Sequence, residues 1–377
     1  MAEPFKNLIN ADAVGAIGHH LHRVWTGFDP RTFTWQALAG LDTLERKARV
    51  MQVAGALVAA LPADVDRAAG ILEASLGPAG AGDDLAGLRT SAAGLAGWPV
   101  WPLSEAITLL AARQHPARGL QALHAMTQRL TAAFAIRPFL MRHPAIGFAT
   151  LARWVHGPRA HVCRLVSEGS RPRLPWGLRL LALAADPAPT LPLLARRQDD
   201  ASGCVRRSLA NHPNDIAKDQ PARVTRWPVD QLPGASAERS ALLRRASPTL
   251  IKQGDAAVLA AWGLGTPFCG HCRLGLSASR RVVGALVTLQ IDLHSHARHP
   301  QKLVIDDALR HVKARGGSSA KVLQGRVIDP APGERRQLEK RLSSKPVSTR
   351  RLHAGPHRTA LRINGQVHAG ADFELHR

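Results

Sequence analysis

The amino-acid sequence predicts a mainly α-helical chain in which an α-solenoid is followed by a C-terminal β-sandwich. Apolar residues recur at helical spacing through the first 112 residues, as in the segment LDTLERKARVMQVAGALVAAL. Further along, a helical motif returns after 43 residues, which is typical of a repeat protein. Beyond Trp262 the apolar period falls to two, which is typical of β-strands.

The N-terminal helical region is predicted to span residues 1–118. Pro62, Pro78 and the WPVWP stretch at 98–102 interrupt this region and mark element boundaries, because proline ends helices. The region contains no pattern of chemical significance, and Trp101 is interpreted as a packing residue.

The repeat lies in residues 119–262, the predicted core of the protein. WVHGPRAHVCRLVSEG at 154–169 has a counterpart in RQDDASGCVRRSLANH at 197–212, and a weaker third copy, ASAERSALLRRASPTLIKQGD, follows at 235–255. Helical pairs that repeat about every 40–47 residues are typical of HEAT and armadillo-like solenoids, which bury a continuous core and expose a concave face. We therefore expect a HEAT-like solenoid in this part of the chain.

Alignment of the copies places basic residues in one register. It pairs Arg164 with Arg207, and the third copy offers Arg244 or Arg245. These arginines would form one cationic track on the concave face of the solenoid. The alternative is that a repeated arginine only braces neighbouring helices through salt bridges.

The predicted β-sandwich spans residues 263–377. The segment GLGTPF is interpreted as a linker, and the alternating stretches VVGALVTLQIDLH at 282–294 and QKLVIDDALRHVK at 301–313 predict strands. Near the end of the chain, Asn364-Gly365 separates two alternating segments, which is a strong signal for a two-residue hairpin. The size and strand spacing are those of an immunoglobulin-like domain.

The formal net charge of +22, from 50 Lys and Arg against 28 Asp and Glu, predicts a polyanionic partner such as nucleic acid. A codon bias toward arginine is the alternative explanation. The excess is localised, however, because residues 1–150 hold 13 basic and 11 acidic residues, residues 151–262 hold 17 and 9, and residues 263–377 hold 20 and 8. A codon bias would spread the excess evenly, so the distribution favours a binding surface.

Other patterns argue against several classes of protein. Four cysteines do not make a disulfide framework in 377 residues, the N-terminus lacks a secretory pattern, and no apolar run reaches the roughly 20 residues of a membrane span. We therefore expect a cytoplasmic protein without a membrane partner. No nucleotide-binding or serine-hydrolase motif occurs in a suitable context, and Cys269-Gly-His-Cys272 lacks the second pair of a zinc site. Neither a metal nor an organic cofactor is expected.

Three motifs occur in order at repeat spacing: FAIRPFL at 134–140, RLVSEGSRPRLPWGLRLL at 164–181 and VRRSLANHPNDIAKD at 205–219. They resemble the AlkC-type branch of the HEAT-repeat DNA alkylation repair glycosylases, closely so over residues 120–255. The C-terminal domain is similar to the immunoglobulin-like domain that many members of this branch carry. The resemblance implies an enzyme that excises cationic N-alkylated bases, such as 3-methyladenine, from damaged duplex DNA in base excision repair. We expect a monomer.

The resemblance also implies the residues of the site. Glu168 and Asp215 would be the carboxylates near the lesion, and Trp176 would be the aromatic contact. Arg164 would provide the guanidinium that orients the DNA backbone or a carboxylate. The residues that would contact phosphates are Arg171, Arg173, Arg207 and Lys218. These residue types suit the chemistry, because carboxylates stabilise a developing sugar cation and an aromatic face can lie against a cationic base. Arginine side chains would hold the flanking phosphates in register.

Each of the three central assignments has a structural alternative. In these alternatives, Glu168 is a surface carboxylate that neutralises neighbouring arginines, Asp215 is the N-cap of a helix in HPND, and Trp176 is a packing residue of the solenoid. One position departs from the family pattern, which has a Glu just before FAIRPFL where this sequence has Ala133. A catalytically impaired HEAT-repeat DNA-binding protein is therefore the alternative function, and a protein-binding HEAT scaffold is a third.

Overall fold

The computed structural model describes residues 5–80, 82–83, 85, 87–312, 317–345 and 353–376. The chain is helical up to residue 261 and strand-rich from residue 270 onward, as the sequence predicts. The helices are α1 (Ala11–Val24), α2 (Pro30–Leu38), α3 (Arg46–Ala60), α4 (Val65–Ala74), α5 (Val100–Ala111), α6 (Pro116–Met126), α7 (Arg137–Arg142), α8 (Pro144–Trp154), α9 (Ala160–Gly169), α10 (Leu181–Ala185), α11 (Leu191–Arg196), α12 (Gly203–Ile216), α13 (Arg226–Gln231), α14 (Ala237–Ala246), α15 (Pro248–Gln253) and α16 (Ala256–Ala261).

The strands form two sheets. They are β1 (Gly270–Leu276), β2 (Arg280–Val282), β3 (Leu286–Ser295), β4 (Leu303–Val312), β5 (Ser318–Ile328), β6 (Arg335–Ser343), β7 (Gly355–Ile363) and β8 (Gln366–His376). One sheet has the order β1-β3-β6 and the other β2-β8-β7-β4-β5. The pairing is antiparallel throughout, except that β2 runs parallel to β8.

The two sheets enclose a shared apolar core, which makes the domain a sandwich. Ile291 and Leu293 of β3 cluster with Leu303, Leu361 and Ile363 of the opposite sheet. The inward residues alternate with polar residues along the strands, as expected where one face of each sheet packs and the other meets solvent. The predicted immunoglobulin-like domain is confirmed.

The predicted hairpin near the C-terminus lies at Asn364-Gly365, between β7 and β8. Asn364 has a φ of 47° and Gly365 a φ of 81°, so both occupy the left-handed region. A two-residue turn of this kind matches the twist of the flanking strands and favours Asn-Gly. The local sequence alone therefore specified this connection correctly.

The chain divides into two compact units, Met1–Gln220 and Pro221–Arg377. The second unit includes α13–α16 with all the strands, and the domain border expected after residue 262 stays a prediction. Contacts between helices and strands hold the second unit together. Arg362 on β7 donates a hydrogen bond to the backbone oxygen of Lys252, and α15 packs against β5.

In the first unit, the two helices that the repeat aligned pack side by side. The Ser167 hydroxyl of α9 lies 2.7 Å from the Ser208 hydroxyl of α12, and the Nδ1 atom of His212 lies 2.8 Å from the backbone oxygen of Ser167. Helix α12 begins after Ser202, whose hydroxyl accepts a hydrogen bond from the Val205 amide and caps the helix. The repeat therefore brings the second and third motifs together. The third copy lies in α14 and α15 of the other unit, and the cationic track stays a prediction.

Among the described residues, no single helix has both the length and the apolar character that crossing a membrane requires. Helices α3 and α4 meet these criteria only when taken together, and the chain bends by 119° between them.

Candidate functional site

Three ion pairs between arginines and carboxylates cluster where α9 and α12 end. Each arginine comes from the second motif, and two of the three carboxylates come from the third motif. The pairs are Arg164 with Glu168, Arg171 with Asp215, and Arg173 with Asp219. The structure thus assembles most of the predicted site residues in one place.

Glu168 lies in the last turn of α9, where it and Arg164 are more exposed than the buried residues between and beside them. Its Oε2 atom lies 2.6 Å from the Nη2 atom of Arg164, one helical turn earlier. The geometry of this contact is not that of a hydrogen bond, and Oε2 has no hydrogen-bond partner among the described residues. The side chain is 17% exposed, so Glu168 is a half-buried carboxylate neutralised by one arginine. The neutralising role is therefore present, and one carboxylate oxygen is buried without a hydrogen-bond partner among the described residues.

Asp215 is almost completely buried, with 1% of its surface exposed. Its Oδ2 atom accepts a hydrogen bond of 2.7 Å from Nε of Arg171, and its Oδ1 atom accepts one of 2.7 Å from Nζ of Lys218. Asp215 lies in the last turn of α12, whose N-cap is Ser202, so the N-cap alternative is wrong. Two cations hold this carboxylate in place.

The four residues predicted to contact phosphates have different surroundings. Arg207 is exposed, and the Lys218 side chain is 42% exposed, so both can reach a polyanion. Arg173 is 29% exposed and pairs with a carboxylate. Arg171 is buried against Asp215, and the structure points to a different role for it, which is to position that carboxylate. The reason is that an Arg fork matches a carboxylate, and a buried Asp needs such a partner.

Arg137 is a site residue that the sequence analysis missed, although it lies in the quoted FAIRPFL motif. It is fully buried, and it donates hydrogen bonds to the backbone oxygens of Gly169, Pro172 and Leu178. Burial lowers the pKa of the Arg137 guanidinium to about 10, with the nearby charge of Arg171 acting in the same direction. The residue ties the end of α9 to the loop that carries Trp176.

Close packing at the end of α9 also explains its last residue. A Cβ atom on Gly169 would lie 2.5 Å from the Cγ2 atom of Ile136, which immediately precedes Arg137. Only glycine allows this approach, and the approach places the Gly169 carbonyl within 2.8 Å of the Arg137 Nη1 atom.

Trp176 is held on the surface in an unusual conformation. Its φ is 68°, in the left-handed region that an aromatic residue rarely adopts, and its residue surface is 68% exposed. Such a backbone costs about 1–3 kcal/mol and persists where the surrounding structure enforces it. The hydrogen bonds from Arg137 to both sides of this position provide that enforcement. The alternative that Trp176 packs in a core is therefore wrong.

The exposed ring of Trp176 borders a cleft in the first unit. The Arg46 guanidinium carbon lies 5.1 Å from the centre of the Trp176 ring and 5.9 Å from that of Trp101. The cleft has a volume of about 410 Å³, and its lining residues include Lys6, Glu45, Arg46, Lys47, Trp101 and Trp176. Trp101 is 7% exposed and its ring stacks on that of Phe134, with ring centres 5.3 Å apart, so it packs as predicted. It also lines the cleft.

Ala133, the position that departs from the family pattern, is buried, with 3% of its surface exposed. It immediately precedes Phe134, whose ring stacks on Trp101. Position 133, where the family has Glu, is therefore next in sequence to a residue that packs on Trp101, and Trp101 lines the cleft. No carboxylate is contributed to the site from this position.

Among the described residues, no group of three or more His, Cys, Asp or Glu side chains could hold a metal ion. All four cysteines are free, and Cys269 is exposed at the start of the sandwich.

His212 gives the site a pH-dependent contribution to stability. It is completely buried, and desolvation lowers its pKa to about 4. Because the unfolded chain has an ordinary His pKa of about 6.5, the unfolded state binds more protons between these values. We expect the stabilising contribution to be complete above about pH 6.5 and to fall by roughly 3 kcal/mol as the pH drops to about 4. Chemical denaturation across this range measures it.

The matched variants are His212→Gln, which removes the titration, and His156→Gln at an exposed position. The His212 variant should show a flatter pH dependence of the free energy of unfolding, and the His156 variant should follow the parent protein. Equal slopes in the parent and the His212 variant would contradict the assignment.

The chain is similar to proteins of two bacteria. It is 36% identical over 262 residues to the uncharacterised protein YhaZ of Bacillus subtilis (strain 168), which covers 69% of this chain and 72% of the relative. It is also similar to the solved structure of the alkylpurine DNA glycosylase AlkC of Pseudomonas fluorescens bound to DNA containing an abasic site analogue. That likeness has a TM-score of 0.83, 30% sequence identity and coverage of 100% of both chains. The chain belongs to the AlkC-type DNA alkylation repair family.

The AlkC-type assignment covers both parts of the fold. Residues 271–377 match the family model described as the C-terminal Ig-like domain of the uncharacterised protein YhaZ, which agrees with the sandwich of β1–β8. The match to the AlkC structure extends over the helical part as well, where the carboxylates and Trp176 lie. The similarity to a DNA-bound glycosylase supports a DNA partner and a glycosylase-like fold.

Proposed function

We propose that this AlkC-type chain is a DNA glycosylase that excises cationic N-alkylated bases, such as 3-methyladenine, from damaged duplex DNA in base excision repair. One observation carries the proposal: two carboxylates, Glu168 and Asp215, lie on helices that pack side by side, next to a loop that presents a strained and exposed Trp176. Backbone strain at an exposed aromatic residue is typical of a functional site.

The chemistry needs little more than these groups. Alkylation of a ring nitrogen makes the base cationic and weakens its bond to the sugar, so strong acid catalysis is unnecessary. As the bond breaks, positive charge develops on the sugar, and a carboxylate stabilises that charge. Glu168, the more exposed of the two carboxylates, suits this role or the positioning of the attacking water. Asp215, on the neighbouring helix α12, is held by Arg171 and Lys218.

DNA binding would draw on basic residues near the carboxylates that keep exposed surface. Arg207 is exposed, and Lys218 and Arg173 stay partly exposed although each pairs with a carboxylate. The sandwich adds a basic cleft of about 440 Å³, lined among others by His271, Arg273, His294, Arg335 and Arg336. Phosphate contacts from such basic residues would position the duplex without reading its sequence. We further propose that the protein acts as a monomer in the cytoplasm and requires no cofactor.

The test is the release of 3-methyladenine from methylated duplex DNA by the purified full chain. We expect release that leaves abasic sites, and a fall of at least about 100-fold in its rate for Glu168→Gln, with duplex binding retained. Asp186→Asn, at an exposed carboxylate outside the cluster, is the control and should excise as well as the parent. A parent protein that releases no base, or a Glu168 variant with the parent rate, would refute the proposal.

The second candidate is a DNA-binding protein without glycosylase activity, and Ala133 favours it because this position supplies no carboxylate. In that case the chain binds duplex DNA, but neither the parent nor any variant releases base. Ala133→Glu distinguishes a crippled enzyme from a binding module, because only the former gains excision. Since this position is 3% exposed, the thermal stability of the variant must be measured alongside its activity.

A further inference from the structure

Helices α6 and α8 of the first unit lie side by side and leave a groove between them. Near their N-terminal ends, the Nε2 atom of His143, just before α8, lies 3.0 Å from the backbone oxygen of Ala112, shortly before α6. Near their C-terminal ends, the ring centres of His124 and Trp154 lie 5.2 Å apart. The two helices therefore run in the same direction, and the groove follows both of them.

The groove has a volume of about 690 Å³ and is largely apolar. One face of each helix lines it, because the lining residues recur at spacings of three and four. They include Ala117, Leu120 and His124 on α6 and Ile146, Ala149 and Arg153 on α8. Ile146 keeps 41% of its surface exposed. An amphipathic helix fits such a groove, since its own apolar side chains recur at the same spacings. The ion-pair cluster and the cleft beside Trp176 are formed by other residues.

The chain that forms the groove has an excess of positive charge. From residue 106 to residue 167, a range that contains both helices, the sequence has eight arginines and neither Asp nor Glu. Arg153 lines the groove directly. Burial lowers the pKa of His124, and the charge of the nearby Arg159 acts in the same direction. The positive charge of the groove therefore comes from arginine, and it would attract a partner with acidic side chains.

The helix ends add positive potential at one end of the groove. Within the described part of the chain, neither α6 nor α8 has an acidic residue in its first turn or a side chain that caps it. The free amide groups of a helix N-terminus carry a partial positive charge. An exposed arginine precedes each helix, Arg113 for α6 and Arg142 for α8. Asp66 and Glu73 of α4 bring negative charge to α6, where Arg118 pairs with both.

We propose that the groove between α6 and α8 is the docking site for an acidic amphipathic helix of a partner protein. The apolar side of that helix packs on Leu120, Ile146 and Ala149, and its acidic side chains face Arg153 and the N-terminal ends of α6 and α8. Arg and Trp, here Arg153 and Trp154, are the residue types that contribute most to protein interfaces. A DNA duplex would use the arginines but not the apolar floor, because its interfaces are more polar.

Phage display on the full chain tests the proposal. The library presents random peptides of about 16 residues, enough for about four helical turns. Panning takes place with an excess of unmodified duplex DNA, which occupies surfaces that bind any polyanion. Fluorescence anisotropy then gives the dissociation constants of the enriched peptides. We expect sequences with more Asp and Glu than Lys and Arg, and with apolar residues three and four positions apart.

Two substitutions in the groove test the two parts of the interaction. Ile146→Asp should weaken the binding of the enriched peptides at least about tenfold, because it removes apolar contact and introduces a repelling charge. The variant should fold, since residue 146 lies in the first turn of α8, where an acidic side chain is favourable. Arg153→Gln should weaken binding about fivefold. Val367→Asp, at an exposed apolar residue of β8, is the control and should keep the parent affinity.

The same variants are also measured with duplex DNA, and thermal melts verify that they are folded. Peptide binding that falls in Ile146→Asp while duplex binding stays at the parent value supports the proposal. The proposal is overturned if no enriched peptide depends on Ile146, if the enriched peptides lack the acidic excess, or if Arg153→Gln binds them like the parent. An equal loss of peptide and duplex binding in Ile146→Asp would also overturn it, because the groove would then belong to a DNA surface.

Discussion

Replacing Arg137 by methionine is expected to lower the free energy of unfolding by about 3 kcal/mol or more and to abolish the surface placement of Trp176. Methionine fills much of the same volume, but it leaves the backbone oxygens of Gly169, Pro172 and Leu178 without their donor. Each buried acceptor left unsatisfied costs about 1–3 kcal/mol. Chemical denaturation measures the loss, and limited proteolysis of the 170–180 loop reports the release of the tryptophan.

Arg137→Lys is the matched control for this prediction. Lysine keeps the positive charge but lacks the planar fork that reaches three carbonyls, so it should recover only part of the lost stability. If Arg137→Lys has the same free energy of unfolding as the parent, then the positive charge holds the loop and the geometry of the guanidinium does not. A methionine variant with parental stability would show that Arg137 does not organise the site.

Replacing Asp215 by alanine is expected to cost about 3–5 kcal/mol in the free energy of unfolding. The carboxylate is 1% exposed and neutralises Arg171, with Lys218 on its other oxygen. Its charge also acts on the nearby Arg137, whose pKa it tends to raise. Without Asp215, Arg171 and Arg137 would remain as buried like charges. Thermal and chemical denaturation measure the loss.

The neighbouring pair provides the comparison for this variant. Asp219 pairs with Arg173, and the two side chains are 22% and 29% exposed, so solvent screens their attraction. Asp219→Ala should therefore cost about 1 kcal/mol or less. Equal losses for the two variants would contradict the view that burial makes the Asp215 pair special. Asp215→Asn, which keeps the shape, separates loss of charge from loss of packing.

The C-terminal part of the chain was the most predictable, for a local reason. Alternation of apolar and polar residues in 282–294 and 301–313 placed β3 and β4, and Asn364-Gly365 placed the last hairpin. In both cases the information lies within a few consecutive residues, since side chains on a strand alternate and a tight turn needs a positive φ. Which strands share a sheet was not predictable from such signals.

One residue in the sandwich shows how a tertiary contact resolves a local conflict. Asp307 points into the domain from β4 with 2% of its surface exposed, and burial raises its pKa. Lys340 on β6, in the other sheet, forms an ion pair with it. An isolated charge there would be costly, and a partner distant in sequence offsets that cost. No local pattern reveals such a partner.

The site shows the same division between local and distant information. The family resemblance of the motifs predicts Glu168, Asp215 and Trp176 as site residues. The motifs did not reveal that Asp215 is buried, that Arg171 binds it, or that Trp176 adopts a left-handed backbone. Arg137 and Arg46 were not predicted. Their partners near Trp176 lie more than thirty residues away in the chain.

The sequence by itself determined the order of helices and strands, the repeated pair α9 and α12, the basic character of the chain and its family. These features depend on periodicity, composition and short motifs, which are properties of consecutive residues. Only the tertiary structure decided which arginines neutralise carboxylates, and which two tryptophans lie near the same arginine. Charge pairing and burial are set by distances between residues far apart in the chain, and a sequence does not contain those distances in readable form.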